Sequence, residues 1–249
     1  MTHAADIFTL KVYSHRHDHL TTISFIPTSG DMTQLPSDTP TADLSETTLD
    51  TLFAVDWAAR LGETGLDTLA NDGFLLIDDC FVAPALYALQ AESGFIDYRL
   101  ANLTAGRHAR DIRGDRIRWL DETCPYGLAY LRAIERLANW FNATLFTGIR
   151  HCEAHYACYP AGFGYQWHTD NPQGRDERVL SAVFYLNDDW HAADGGELVL
   201  IDAYGGTQTC QPQANRLLVF NSDLRHQVNI TQRTRYSIAT WLRRDVAVV

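Results

Sequence analysis

Near Thr147 the hydrophobic pattern changes period, and that change limits the folds open to this chain more than any other feature. Before it, apolar residues fall at helical spacing. Leu49, Leu52, Phe53 and Ala58 form one such segment, and Leu128, Leu131, Ile134, Leu137 and Trp140 line one face of a predicted helix over 127–142. A strand over 73–78 and a helix opening at Pro84 and running to about Glu92 lie between them. After it come short strand-like segments at 151–159, 164–168, 179–187, 197–201, 216–220, 226–230 and 236–242, separated by Gly, Asn and Asp. Helices first and regularly spaced strands second predict a mainly β fold with flanking helices, a sandwich or jelly roll with the helices packed on one face.

The working domain is expected at 47–249. Residues 1–46 read as an N-terminal extension: strand-like stretches at 7–13 and 22–26 suggest a hairpin around His15, His17 and His19, and 27–48, rich in Thr, Ser, Pro and Asp, reads as a linker. The extension's alternating histidines are read as a polar turn, since nothing nearby completes a metal site. Twenty basic against 31 acidic side chains give a net charge of −11, which disfavours a nucleic-acid backbone or an anionic membrane surface as partner. Five cysteines without a Cys-x-x-Cys pair suggest neither a disulfide framework nor a zinc ribbon. With no signal-like N-terminus and no long apolar run, the expectation is a soluble, cytoplasmic protein.

Chemistry concentrates at His168-Thr169-Asp170, where a predicted strand ends. In extended chain, residues i and i+2 project to one side, which sets an imidazole beside a carboxylate. His226, 58 residues further on at the start of a later strand, is a third ligand for a two-histidine, one-carboxylate set that suits Fe(II) and leaves positions open for a chelator and dioxygen. Nine residues beyond it, after a turn, Arg235 and Ser237 share a face and offer a fork and a hydroxyl for a dicarboxylate, with Tyr185 as a further phenolic donor. A competing pair, His151 and Glu153, has the same spacing but lacks the turn that follows Asp170. His155 and His191 are read as ordinary surface or satisfied histidines. No Gly-x-Ser-x-Gly elbow, Walker loop or dinucleotide fingerprint occurs.

Longer stretches raise the signal. Asp111-Ile112-Arg113-Gly114-Asp115-Arg116-Ile117-Arg118-Trp119, Ala157-Cys158-Tyr159-Pro160, Gly164-Tyr165-Gln166-Trp167-His168-Thr169-Asp170-Asn171-Pro172, Tyr185-Leu186-Asn187-Asp188-Asp189-Trp190 and Arg235-Tyr236-Ser237-Ile238-Ala239-Thr240-Trp241 occur in that order. With them the chain resembles the Fe(II)- and 2-oxoglutarate-dependent prolyl hydroxylases of the hypoxia-inducible-factor type and their bacterial relatives. The resemblance implies a double-stranded β-helix with His168, Asp170 and His226 on iron, and with Arg235 and Tyr185 on the far carboxylate of 2-oxoglutarate. It implies that Tyr159 and Trp241 line the pocket, and that the segment around Arg113–Trp119 belongs to a loop closing over a prolyl substrate. Arg113, Asp115 and Arg178 would stand at the substrate entrance, with Asp115 pairing to Arg178 on closure. The activity implied is a prolyl 4-hydroxylase that uses Fe(II), 2-oxoglutarate and dioxygen and yields succinate and CO2. Its substrate would be a proline-containing loop of a protein, such as one in the translation factor elongation factor Tu. A hydroxylase of a free amino acid or other small molecule, and a non-catalytic metal-binding jelly roll, are the alternatives.

Overall fold

The computed structural model describes residues 8–14, 19–25, 45–101, 113–171 and 175–245. In chain order these form β1 (Phe8–Ser14), β2 (His19–Phe25), α1 (Glu46–Leu52), α2 (Trp57–Asp72), β3 (Phe74–Ile77), α3 (Ala83–Phe95), β4 (Arg99–Leu100), β5 (Arg116–Trp119) and α4 (Pro125–Leu145). Then follow β6 (His151–Tyr159), β7 (Tyr165–His168), β8 (Arg178–Tyr185), β9 (Leu198–Ile201), β10 (Thr207–Cys210), β11 (Leu217–Asn221), β12 (His226–Val228) and β13 (Arg235–Arg243). β1 and β2 pair antiparallel, Phe8 opposite Phe25. His15, His17 and the expected linker up to residue 44 lie outside the described residues.

Two antiparallel sheets make the jelly roll, one ordered β3-β11-β8-β13-β6-β5-β4 and the other β10-β9-β12-β7. Strand alternation sorts the larger sheet into two faces of opposite character. One face carries Ala154 and Tyr156 of β6, Leu180, Ala182 and Phe184 of β8, Leu217 and Val219 of β11, and Ile238 and Leu242 of β13. All of these join one apolar cluster with Phe53, Leu89, Ile134, Leu137 and Phe141 of the helical layer. The helices are therefore held on this face by burial of apolar area, worth roughly 1.5–3 kcal/mol per large side chain. The opposite face looks into the second sheet and carries His155, Ala157, Tyr159, Ser181, Tyr185, Arg235, Ser237 and Trp241.

Helix α4, which covers the predicted 127–142 segment, starts without a side-chain cap from its own N-cap residue, Cys124. Glu92 of α3 takes that role from a distance. Its buried carboxylate accepts the Tyr126 and Gly127 N–H groups at 3.0 and 2.7 Å and the Tyr156 hydroxyl at 2.6 Å, tying two helices to β6. Burial raises the Glu92 pKa despite these bonds. No helix among the described residues is long and apolar enough to cross a membrane.

Candidate active site

Register brings the expected metal ligands together. β12 runs antiparallel to β7 with His226 directly opposite His168, and Asp170 follows two residues after the strand end. The two backbones approach closely where they meet at Gly164, since a Cβ there would sit 2.5 Å from the Val228 carbonyl oxygen. One donor atom from each of His168, Asp170 and His226 lies within 4.8 Å of the others. The two Nε2 atoms stand 3.9 and 3.8 Å from the Asp170 carboxylate oxygens.

Each histidine is oriented by the main chain two residues earlier. His168 Nδ1 lies 2.7 Å from the Gln166 carbonyl and His226 Nδ1 lies 2.9 Å from that of Leu224. A carbonyl only accepts, so both Nδ1 atoms carry the proton and both Nε2 lone pairs face the centre. Burial and the facing His226 push the His168 pKa down to about 4, which keeps its imidazole a neutral ligand. Burial works against the Asp170 carboxylate, but His226, His168 and the Ser181 hydroxyl outweigh it and hold its pKa below the ordinary value. Ser181 Oγ donates to Asp170 at 2.5 Å and lies 2.9 Å from the Ser222 hydroxyl. Two imidazole nitrogens, one carboxylate and an open side fit Fe(II).

Arg235 supplies the second feature. It is 1% exposed, and its guanidinium lies between the rings of Tyr159 and Tyr185, 5.1 Å from each centroid. Nη1 donates to Ser237 Oγ at 3.2 Å, Nε has no partner, and no carboxylate pairs with it among the described residues. The Tyr185 hydroxyl, buried beside Cys210 and Arg235, also lacks a hydrogen bond of good geometry. A buried cation on the cavity wall, with a buried phenol lacking a partner behind it, makes a seat for a carboxylate. Gly196 (φ +71) lets the preceding turn pack against the arginine stem, since a Cβ would come 3.2 Å from Arg235 Cδ.

Both groups open into one cavity of about 690 Å³, which Arg113, Asp115, Arg178 and Trp241 also line. Asp115 does not meet Arg178. It accepts both arms of Arg113, at 2.6 and 2.9 Å, because two-residue spacing puts these side chains on one side of the chain. Arg178 instead donates to the Asp170 carbonyl at 2.8 Å, stacks 3.9 Å over Trp241 and lies 3.6 Å from Glu153. The segment expected to be a loop is partly a strand, as Arg116–Trp119 pairs with β6. Residues 102–112 lie outside the description.

The competing His151–Glu153 pair sits at the far end of β6, opposite Arg243 and Trp241, and Glu153 is taken up by Arg243 at 2.5 Å. His191 is an exposed side chain, as expected. His155 is not a surface residue: it is 1% exposed, and Nε2 has no partner among the described residues. Sequence reasoning also passed over Ser181 and gave no part to Tyr165, whose ring stacks 3.6 Å from that of His168 and lies 5.2 Å under the Arg113 guanidinium. Counting back by twos from Tyr185 along the inward face of β8 would have reached Ser181.

Known proteins resemble this chain in sequence and fold. The family described as the 2OG-Fe(II) oxygenase superfamily matches residues 154–243. Prolyl hydroxylase EGLN3 of Homo sapiens is 34% identical over 191 residues, which cover 73% of this chain and 79% of that protein. A Pseudomonas putida prolyl-4-hydroxylase structure superposes with a TM-score of 0.65 at 35% identity, covering 76% of this chain and 98% of the other. A Trichoplax adhaerens prolyl hydroxylase, solved with a hypoxia inducible factor oxygen degradation domain peptide fragment, gives a TM-score of 0.67 at 25% identity over 79% of this chain and 91% of its own.

Proposed function

The chain belongs to the 2OG-Fe(II) oxygenase superfamily and within it to the prolyl hydroxylases, and from that premise we propose that it hydroxylates a proline in a loop of a protein, converting 2-oxoglutarate to succinate and CO2. Residues 47–249 would form the oxygenase domain and 1–46 an extension. The observation that carries the reading is Arg235, a buried guanidinium with no carboxylate partner among the described residues, on the wall of the cavity that also receives His168, Asp170 and His226. Those three would hold Fe(II), which, with 2-oxoglutarate and dioxygen, supplies the oxidising power that breaks a prolyl C–H bond.

The rest falls to the chain's own groups. Arg235 and the Ser237 and Tyr185 hydroxyls would bind the far carboxylate of 2-oxoglutarate, and the flanking Tyr159 and Tyr185 rings exclude water from that contact, which strengthens it. Ser181 fixes the Asp170 carboxylate by donating to Oδ2, and the two carbonyls behind the histidines fix their tautomers. Trp241, held flat by Arg178, walls the side of the cavity. Arg113, Asp115 and Arg178 would face the entering polypeptide.

A protein substrate is supported by the Trichoplax enzyme, which was captured with a peptide fragment. A loop of elongation factor Tu is the specific candidate. The test is quantitative mass spectrometry of host proteins with and without this gene, scored for the mass of one added oxygen on proline. One or more gene-dependent hydroxyprolines, on elongation factor Tu in particular, are expected. Iron-dependent succinate release that responds to a free amino acid, with no proline modified in any protein, would transfer the reading to a small-molecule hydroxylase.

A further inference from the structure

Once iron and 2-oxoglutarate have taken their ligands, one buried acceptor in the cavity wall is unexplained. His155 lies on β6 in the inward-facing series with Ala157 and Tyr159, opposite Trp119 of β5 and Ala239 of β13. Its imidazole meets the two indoles edge-on, with centroids 5.1 Å from Trp119 and 5.3 Å from Trp241, and all three residues line the cavity. Nδ1 lies 3.1 Å from the Tyr156 carbonyl oxygen. That oxygen can only accept, so Nδ1 carries the proton and Nε2 presents a lone pair.

Nothing among the described residues satisfies that lone pair. Arg113, the cation whose charge His155 feels, gives Nε and Nη2 to Asp115. Arg178, across Trp241, gives Nη1 to the Asp170 carbonyl. Burial drives the His155 pKa down to about 4, so near neutral pH the ring does not gain a second proton to donate. A buried acceptor without a donor is disfavoured in a finished core, and in a residue that lines a cavity it marks a place where an incoming molecule supplies the donor, once a flanking indole yields enough to uncover Nε2, which is closed to water as folded.

We propose that His155 Nε2 accepts a hydrogen bond from the substrate polypeptide, from a neutral N–H or O–H beside the target proline, and so helps to select the polypeptide and set its register. The target proline has no N–H of its own, so the donor belongs to a neighbouring residue, and a backbone N–H is the one that every sequence offers. The inference rests on the prolyl hydroxylase reading above and adds to it a substrate-binding residue whose chemistry differs from that of the charged entrance.

The probe is a synthetic peptide spanning the proline found to gain oxygen in cells, titrated without dioxygen into the full chain loaded with Fe(II) and 2-oxoglutarate. His155→Phe keeps a ring between the indoles but removes the acceptor, whereas His155→Gln restores one. The Phe variant is expected to bind the peptide about 10-fold more weakly, with the Kd for 2-oxoglutarate and Tm unchanged, and Gln to recover part of the loss. N-methylation next to the proline should weaken wild type but not the Phe variant if the donor is a backbone N–H; replacing a neighbouring Ser or Thr by Ala should do so if it is a hydroxyl. Equal peptide binding by wild type and Phe overturns the inference, as does a parallel loss of 2-oxoglutarate binding and Tm, which would make His155 a packing residue. A wild-type enzyme that modifies no proline at all overturns the underlying reading, and that result is visible before any variant is made.

Discussion

Two arginines on the wall of one cavity meet their surroundings in different ways. Arg113 is answered within the chain by the bidentate carboxylate of Asp115, whose side chain is 1% exposed. Burial opposes its charge, but Asp115 outweighs that and raises its pKa. Arg235 is buried more deeply and has two aromatic rings and one hydroxyl around it, with no carboxylate among the described residues. The first arrangement is complete as folded and serves as scaffold. The second is complete only with an anion from outside, so it is the unanswered charge, more than the burial or the arginine itself, that identifies a ligand seat.

The comparison breaks most sharply at the centre that both arginines border. His168→Ala, Asp170→Ala or His226→Ala each removes one donor from the ligand set while the strands stay paired. 2-Oxoglutarate turnover should fall by more than about 100-fold, with the metal-free unfolding transition kept cooperative. Near-normal turnover in any of the three would remove iron from this site. Next in size is the pair of variants Arg235→Lys and Arg113→Lys. Lysine keeps the charge but loses the planar fork, so the apparent KM for 2-oxoglutarate should rise roughly 10- to 100-fold at Arg235 and little at Arg113. A thermal-shift titration reads the same contrast, since saturating ligand at 100 times Kd stabilises the fold by about 2.7 kcal/mol only where the seat is intact. Equal effects at the two arginines would mean that the unanswered charge is not the seat.

Why the sequence disclosed some of this and withheld the rest follows from how far each feature reaches. Strands β3, β6 to β9 and β11 to β13 were legible because period-2 alternation is local, and the meeting of His168, Asp170 and His226 was legible because i, i+2 spacing and a strand start place side chains almost by themselves. Helix α2 was not. After Trp57 at its start, its large apolar residues Leu61, Leu66 and Leu69 are sparse, and Gly62, at φ +55, interrupts its helical backbone. Strand β10, Thr-Gln-Thr-Cys, is an edge with three exposed residues, so it shows no alternation to read. Asp115 was expected to meet Arg178 on closure, and its pairing with Arg113 in this structure went unread although the spacing rule used at Asp170 puts the two side by side. The condition of His155 could not be read at all, because a missing partner is a property of the neighbours that the fold assembles and not of any local pattern.

Breaking the scaffold pair sharpens the contrast from the other side. Asp115→Asn leaves Arg113 with a neutral partner while most of its side chain stays buried, and the fold should lose about 3 kcal/mol, read by urea denaturation. Adding Arg113→Met should recover much of it. A double-mutant cycle between Asp115 and Arg178 should show little coupling by comparison, because Arg178 is engaged with Asp170, Glu153 and Trp241. Strong coupling there would mean that the entrance rearranges to bring Asp115 and Arg178 together.

The smallest effect lies at His155, where the charge of the scaffold pair is felt indirectly. Its pKa is about 4 against an ordinary 6.5, lowered first by burial and then by Arg113, with Asp115 pulling the other way. Because the folded value is depressed, the neutral ring's contribution to stability is fully present above pH 6.5 and is lost as pH falls toward 4, when the unfolded chain takes up a proton that the buried ring refuses. Wild type should therefore lose on the order of 2 kcal/mol more than His155→Phe between pH 7 and about pH 4, measured as the difference between their urea-unfolding free energies. In an Asp115→Asn background Arg113 acts without its counter-charge, so the His155 pKa should fall further and the loss should continue to lower pH. Parallel curves for wild type and His155→Phe would mean that the ring gains its proton without leaving the fold. An unchanged window after Asp115→Asn would mean that the Arg113 charge is screened from the cavity already.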